Sequence, residues 1–421
     1  MDTMPTHEAC GCDDFAVTRR AVLRGAAGIA GAGVTTKLFG DVFTQVAYGA
    51  AGAGNVLVVL SMRGGADGMS IVVPHGDRHY YPARPKISVP RNQLLARDDM
   101  FGLHPSLAPL LPMWNAGTFG AVHAVGLPSP NRSHFAAMEE IEDAAPGSSE
   151  RRGWINRMVG LIGGGDASEA VGLGTGTMMG TLFGQAPTMS LDNLQDLKLP
   201  SDGTNIERQT RNSLQTAWTG AATPMGAAAR AALDVSSRLK PLATPRPPAN
   251  GARYPAGRLG ESMAETARLI RADVGVRVVT IDAGNWDMHN NLGTPQLGEM
   301  KLRLDELAGV LAAFFQDLGS DANRTTLVSV SEFGRRVTEN GNYGLDHGYG
   351  NCMLLLGAGI RGKRYVSDWP GLGPEALDDG DLHVTTDYRD VLSEVVKARF
   401  PDVSLSSLFP EFQSAAVGIA A

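Results

Sequence analysis

Asn55-Val56-Leu57-Val58-Val59-Leu60, followed after Ser61-Met62 by Arg63-Gly64-Gly65-Ala66-Asp67-Gly68, decides the fold. An unbroken apolar run rich in β-branched residues leaves no face for water, so it reads as a strand covered on both sides. The Gly-rich stretch behind it is a turn that delivers Asp67 to the strand's carboxyl end. A second run of the same kind, Phe119 to Val125, follows a predicted helix over Pro105 to Asn115. Strand, helix, strand in that order calls for parallel pairing through right-handed crossovers.

The C-terminal third repeats the pattern, with strands expected at Arg277 to Ile281, Thr325 to Val330 and Cys352 to Leu356. Between the first two, Leu297, Met300, Leu304, Leu307, Leu311, Phe314 and Leu318 recur by threes and fours, the spacing of a helix with one buried stripe. Thr294 and Pro295 suit its start and Gly319 its end. Residues 150–275 differ in character, being Gly-rich and then helical, and read as a cap or insertion with Leu242 to Gly251 a flexible linker. The expected class is α/β, a mainly parallel sheet flanked by helices over residues 51–421 with that inserted segment.

Ahead of this lies Thr18-Arg19-Arg20-Ala21-Val22-Leu23-Arg24, paired arginines before a Gly/Ala-rich stretch running to about Ala50. That is the twin-arginine arrangement. Arg24, Lys37 and Asp41 interrupt the stretch, which falls short of the roughly twenty apolar residues of a membrane span. Residues 1–50 are therefore expected to be a removable leader read by the twin-arginine translocation machinery, with no stable membrane anchor, and the product to be periplasmic, surface-bound or secreted. The alternative is a basic tail on a cytosolic protein. Cys10 and Cys12 would leave with the leader, so Cys352 alone remains and no internal disulfide forms. A net charge of −7 over 421 residues gives no basic footprint for nucleic acid.

The chemistry-bearing residues cluster beside the apolar runs. Asp67 follows the first strand, Asp287 and His289 the strand ending at Ile281, Glu332 the strand ending at Val330, and Asp346 with His347 precedes the strand at Cys352. Ligands of an open parallel sheet collect beyond the carboxyl ends of its strands. Carboxylates and neutral imidazoles are donors for Zn, Mn or Mg, with Zn or Mn matching a mixed set. Taken singly, each has a plain reading as a turn, cap or ion-pair residue. Ser133, in Asn131-Arg132-Ser133-His134-Phe135, is either a helix N-cap or a nucleophile activated by a metal or by His134. Arg63, Arg132, Arg335 and Arg389 are candidates to hold an anion. There is no G-x-S-x-G elbow, and Gly172 to Gly176 lacks the lysine of a phosphate-binding loop.

Leu60 to Gly68, Gly102-Leu103-His104-Pro105, Arg132 to Phe135, Trp286-Asp287-Met288-His289, Ser331-Glu332-Phe333-Gly334-Arg335, Asp346-His347-Gly348 and Asp368 to Leu372 resemble, in order, the bacterial family catalogued as domain of unknown function 1501. That family is similar to the alkaline phosphatase and sulfatase superfamily. The resemblance implies Asp67 as a first-strand metal ligand, Ser133 as nucleophile, Asp287, His289 and His347 as ligands of one metal, and Glu332 as a ligand of another. Phe333 stands where that superfamily places a histidine, and Asp287 and His289 are spaced more tightly than its usual pair. Two functions stay open: a metal-dependent hydrolase of an anionic phosphate or sulfate ester, small or polymeric, and an exported non-catalytic binding or assembly protein that keeps the hydrolase fold.

Overall fold

A computed structural model describes residues 54–163, 165–198 and 204–421. The arginine pair Arg19-Arg20 lies outside them, as do Cys10 and Cys12. Nine strands form the main sheet: β1 Val56–Ser61, β2 Phe119–Gly126, β3 Ala170–Leu173, β4 Met189–Leu191, β5 Val278–Asp282, β6 Thr325–Val330, β7 Asn351–Gly357, β8 Tyr365–Val366 and β9 Thr386–Asp387. Their order across the sheet is β8-β2-β7-β6-β1-β5-β3-β4, with β9 also pairing β2. The expected mainly parallel sheet is present, and β7 alone runs antiparallel to its neighbours β6 and β2.

Seven helices matter here: α1 His134–Asp143, α2 Trp154–Ile162, α3 Thr204–Thr219, α4 Pro224–Leu239, α5 Arg258–Arg271, α6 Glu299–Leu318 and α7 Tyr388–Arg399. The strand β1 shows why they form two layers. Its side chains alternate, so Val56, Val58 and Leu60 pack with the stripes of α5 and α6, while Leu57 and Val59 pack with those of α1, α2 and α7. All six β1 residues are buried. Each such valine or leucine contributes about 1.5–3 kcal/mol relative to exposure.

Four expectations need correction. Residues 150–275 supply β3 and β4, hydrogen-bonded in register beside β5 (Val171 opposite Val279), so this segment is built into the sheet's edge rather than laid over it. The stretch expected as a flexible linker is fastened to buried Asp317, whose carboxylate accepts from Ala249 N at 2.7 Å and from the Tyr254 hydroxyl at 3.0 Å. Residues Pro105–Leu110 wind as a 3₁₀ turn before a short helix Leu111–Asn115, because Pro109 and Pro112 remove backbone donors. The helix α6 starts later than expected, at Glu299 after Gly298. Thr294 closes a tight turn with Leu297, and Leu297 is left 79% exposed.

Candidate metal centre

The carboxyl ends of β6, β1 and β5 lie side by side, with Ser61 opposite both Asp282 and Val330. Because β7 is antiparallel, its amino end reaches this same edge, which brings in His347 from the loop ahead of it. The strand β2 ends nearby and delivers α1, whose first residue is His134. Four loops from non-adjacent parts of the chain thus converge.

At their meeting point the Asp287 Oδ1 atom lies 3.6 Å from His134 Nε2, 3.0 Å from His289 Nε2 and 3.4 Å from His347 Nε2. The last two nitrogens are 3.1 Å apart. Each imidazole is oriented from behind. His347 Nδ1 donates to the Arg132 carbonyl at 2.9 Å, His134 Nδ1 to Glu332 Oε1 at 2.9 Å, and His289 Nδ1 to Asp346 Oδ1 at 3.1 Å. An oxygen acceptor on Nδ1 fixes its proton there and leaves the Nε2 lone pair facing the cluster. Such outer partners are the usual accompaniment of metal-bound histidines.

The donor set fits a metal ion on two counts. His134 Nε2 is buried and has no hydrogen-bond partner. Ligands 2.0–2.1 Å from a tetrahedral ion stand about 3.3 Å from one another, and Asp287 Oδ1 stands 3.6, 3.0 and 3.4 Å from the Nε2 atoms of His134, His289 and His347. Among the described residues, His134, Asp287 and His347 form the group of three whose donor atoms all lie within 4.8 Å of each other. His289 stands at the edge of that group, its Nε2 3.0 Å from Asp287 Oδ1 and 3.1 Å from His347 Nε2.

The supports are rigid. Arg335, fully buried, donates to the carbonyls of Gly64, Gly65 and Leu345 and to Asp287 Oδ1 at 2.6 Å. Burial alone would raise the Asp287 carboxyl, but the bond and charge of Arg335 outweigh it and hold the group below its ordinary value. Gly64 N–H donates to Glu332 Oε1 at 2.8 Å, and Gly64 has φ +112°. A Cβ there would meet Asp287 N at 2.6 Å, so only glycine lets the two loops close. Phe333 packs its ring against His134 and His347, with centroids 4.8 and 4.9 Å away. Where a histidine was the superfamily's expectation, an apolar wall backs two of the imidazoles. Burial also lowers His347.

The remaining sequence candidates are placed elsewhere or otherwise employed. Asp67 is buried in a bidentate pair with Arg84, at 2.5 and 2.9 Å, so both its oxygens are engaged and it is a structural anchor rather than a ligand. Glu332 is engaged behind His134, accepting from its Nδ1 and from Gly64 N. Asp346 stands behind His289 and also accepts from Asn340 Nδ2 at 3.0 Å. Ser133 is exposed and caps α1, accepting from Ala136 N at 3.5 Å. Arg335 is spent on the scaffold, and Arg132 is paired with Asp381 and Asp379. Arg389 is bound to Asp387 and stacked 4.0 Å over Phe412. Arg63, paired with Asp282 at 2.9 Å, keeps 40% of its side chain exposed and lines the cleft beside the cluster.

The fold and the site together define an α/β protein with a cluster of histidines and an aspartate, of a kind that could hold a metal ion, at the carboxyl edge of its sheet. Residues 55–394 match the model of the family described as "Protein of unknown function (DUF1501)", and the chain belongs to that family. No curated protein matches it. Among solved structures it is similar to the PsFucS1 sulfatase from Pseudoalteromonas sp., at 13% identity and TM-score 0.34, covering 87% of this chain and 73% of that one. It is also similar to the C-terminal periplasmic domain of EcEptC from Escherichia coli in complex with Zn, at 11% identity and TM-score 0.32, covering 89% and 92%. A third is a putative sulfatase from Bacteroides thetaiotaomicron, at 11% identity and TM-score 0.33, covering 87% and 76%. Likeness at this level carries no reaction or ligand across.

Proposed function

We propose that the protein is a metal-dependent hydrolase of phosphate or sulfate esters. The observation that carries this reading is the convergence of three Nε2 atoms, each with its Nδ1 proton held from behind, on one carboxylate oxygen. His134, His289, His347 and Asp287 would hold the ion, and nitrogen and oxygen donors in this ratio suit Zn or Mn. When bound there, the ion supplies Lewis acidity to an ester oxygen. The chain's own part is to orient and to bind. Glu332, Asp346 and the Arg132 carbonyl fix the imidazoles, Arg335 fixes Asp287, and Arg63 offers its exposed guanidinium to an anionic substrate. Ser133 does not line the cleft, so water is the proposed nucleophile.

A second reading has its own support. Four protein donors are enough to close a tetrahedral Zn site, and closed sites are structural. The exported binding or assembly protein would then use the ion to hold its loops. The side chains of the four donors remain 25–46% exposed, which leaves a face open to a substrate and favours the hydrolase. Export by the twin-arginine machinery is proposed on Arg19-Arg20 alone, and a phosphate or sulfate ester is the proposed partner. The test is turnover of phosphomonoesters, phosphodiesters and sulfate esters by protein loaded with Zn or Mn. Chelator-sensitive turnover of one class is expected. Stoichiometric metal without turnover of any would leave the binding protein.

A further inference from the structure

The cleft that borders the metal centre, about 530 Å³, is lined by His134, Asp287, Glu332 and Arg63, and also by Glu142. Glu142 stands two helical turns beyond His134 on the same face of α1, with Met138 between them, and helical side chains lean toward the N-terminus, here toward the cluster. A second hollow of about 340 Å³ shares Arg63, Glu139 and Glu142, so the cleft continues past Glu142 toward Phe183. Glu142 is therefore a carboxyl at the neck of a groove, on the side away from the imidazoles.

We propose that Glu142 is the proton donor to the leaving group of the ester, an assignment that rests on the hydrolase reading above. The P–O or S–O bond to the leaving oxygen breaks with its electron pair on that oxygen. The Glu142 proton passes to it and releases a neutral alcohol. The entering water bonds to phosphorus or sulfur, and one of its protons restores Glu142.

The surroundings suit that role. Glu142 faces Arg63 (3.8 Å), Asp282 at the end of β5, Asp143 on its own helix and the Gly180 N–H across the groove. Burial is the largest influence and pushes the carboxyl up to about 7. Arg63 and Gly180 work against it, and Asp282 and Asp143 work with it. A donor close to the working pH is the most effective kind. The carboxyl approaches Gly180 so closely that a Cβ there would lie 2.4 Å from Glu142 Oε2.

The test compares a 4-nitrophenyl ester, whose leaving group needs no proton, with an alkyl ester of the same acid, using the metal-loaded wild type and Glu142→Gln. The variant should keep the wild-type metal content and melting temperature. Its turnover should fall on the order of 100-fold or more for the alkyl ester and at least about tenfold less for the aryl ester. The glutamate ¹³C carboxyl resonance lost in the variant should titrate near neutrality in the wild type. Should Glu142→Gln not fold, Glu142→Asp, which withdraws the carboxyl by one methylene, is expected to show the same selective loss. Equal losses on both esters, or a resonance titrating in the ordinary carboxylate range, would overturn the assignment while leaving the hydrolase intact. A metal-loaded wild type inactive on both esters would overturn the hydrolase and this role with it.

Discussion

His289 and His347 meet through their Nε2 atoms at 3.1 Å, while the Nδ1 of each is held by an oxygen. Two lone pairs are thus directed at one another and at the Asp287 carboxylate, and a cation among them turns that repulsion into coordination. The outer partners should then matter nearly as much as the ligands. Glu332→Gln, which weakens the hold on His134, is expected to cost roughly 10–100-fold in metal affinity with the fold retained. Competition with a chelator of known affinity checks this. Unchanged affinity would remove His134 from the site.

Asp67 and Arg84 form a fully buried pair apart from that cluster. Breaking it with Arg84→Met leaves an uncompensated carboxylate and should cost about 3–5 kcal/mol. Asp67→Asn should likewise lower the melting temperature while leaving the metal content of the folded protein at the wild-type level. A loss of metal without loss of stability would restore Asp67 as a ligand.

Ser133 is the N-cap of α1, with a long bond to Ala136 N. Ser133→Ala should cost no more than about 1 kcal/mol, the ordinary price of losing such a cap. Turnover should persist. Its abolition in a folded, metal-loaded variant would make Ser133 the covalent nucleophile.

At the other end of the chain, Glu394 on α7 accepts from the backbone N–H groups of Val417, Gly418, Ile419 and Ala420, at 2.5–2.8 Å. Burial works to raise this carboxyl, and the four donors outweigh it and hold it below its ordinary 4.5. A depressed carboxylate contributes stability that is present above its unfolded pKa. That contribution is lost as pH falls from about 4.5 through the lower folded value. Glu394→Gln turns an NH₂ toward two of the donors and should destabilise by about 1–3 kcal/mol at neutral pH. The difference in melting temperature from wild type should shrink on acidification through that window. A difference that does not change with pH would show that the latch carries no charge-dependent stability.

Much of the scaffold was legible because buried strands and the α6 stripe are written in apolar periodicity. The direction of β7 was not, since an unbroken apolar run reads the same either way along the sheet. That reversal is what brings His347 to the edge where Asp287 and His289 already stand. His134 was read as a group that would activate Ser133, not as part of the cluster. Its function depends on Glu332, far along the chain, receiving its Nδ1 proton. Asp67 looked like a ligand because nothing local marks Arg84 as the residue that folds back onto it. Arg335 looked like an anion holder for the same reason: its acceptors are backbone carbonyls that exist only once the loops have closed. Glu142 carries no motif. Its character comes from burial beside Asp282, at the end of β5, and Arg63, in the turn after β1.

His134, Asp287, His289 and His347 are proposed to hold one ion between them. The most direct measurement is metal analysis by mass spectrometry of protein purified after growth with Zn and Mn supplied, alongside alanine variants at the four positions. About one equivalent is expected in the wild type, falling sharply in each folded variant. A metal-free wild type, or variants that retain the full equivalent, would show that these residues hold no ion.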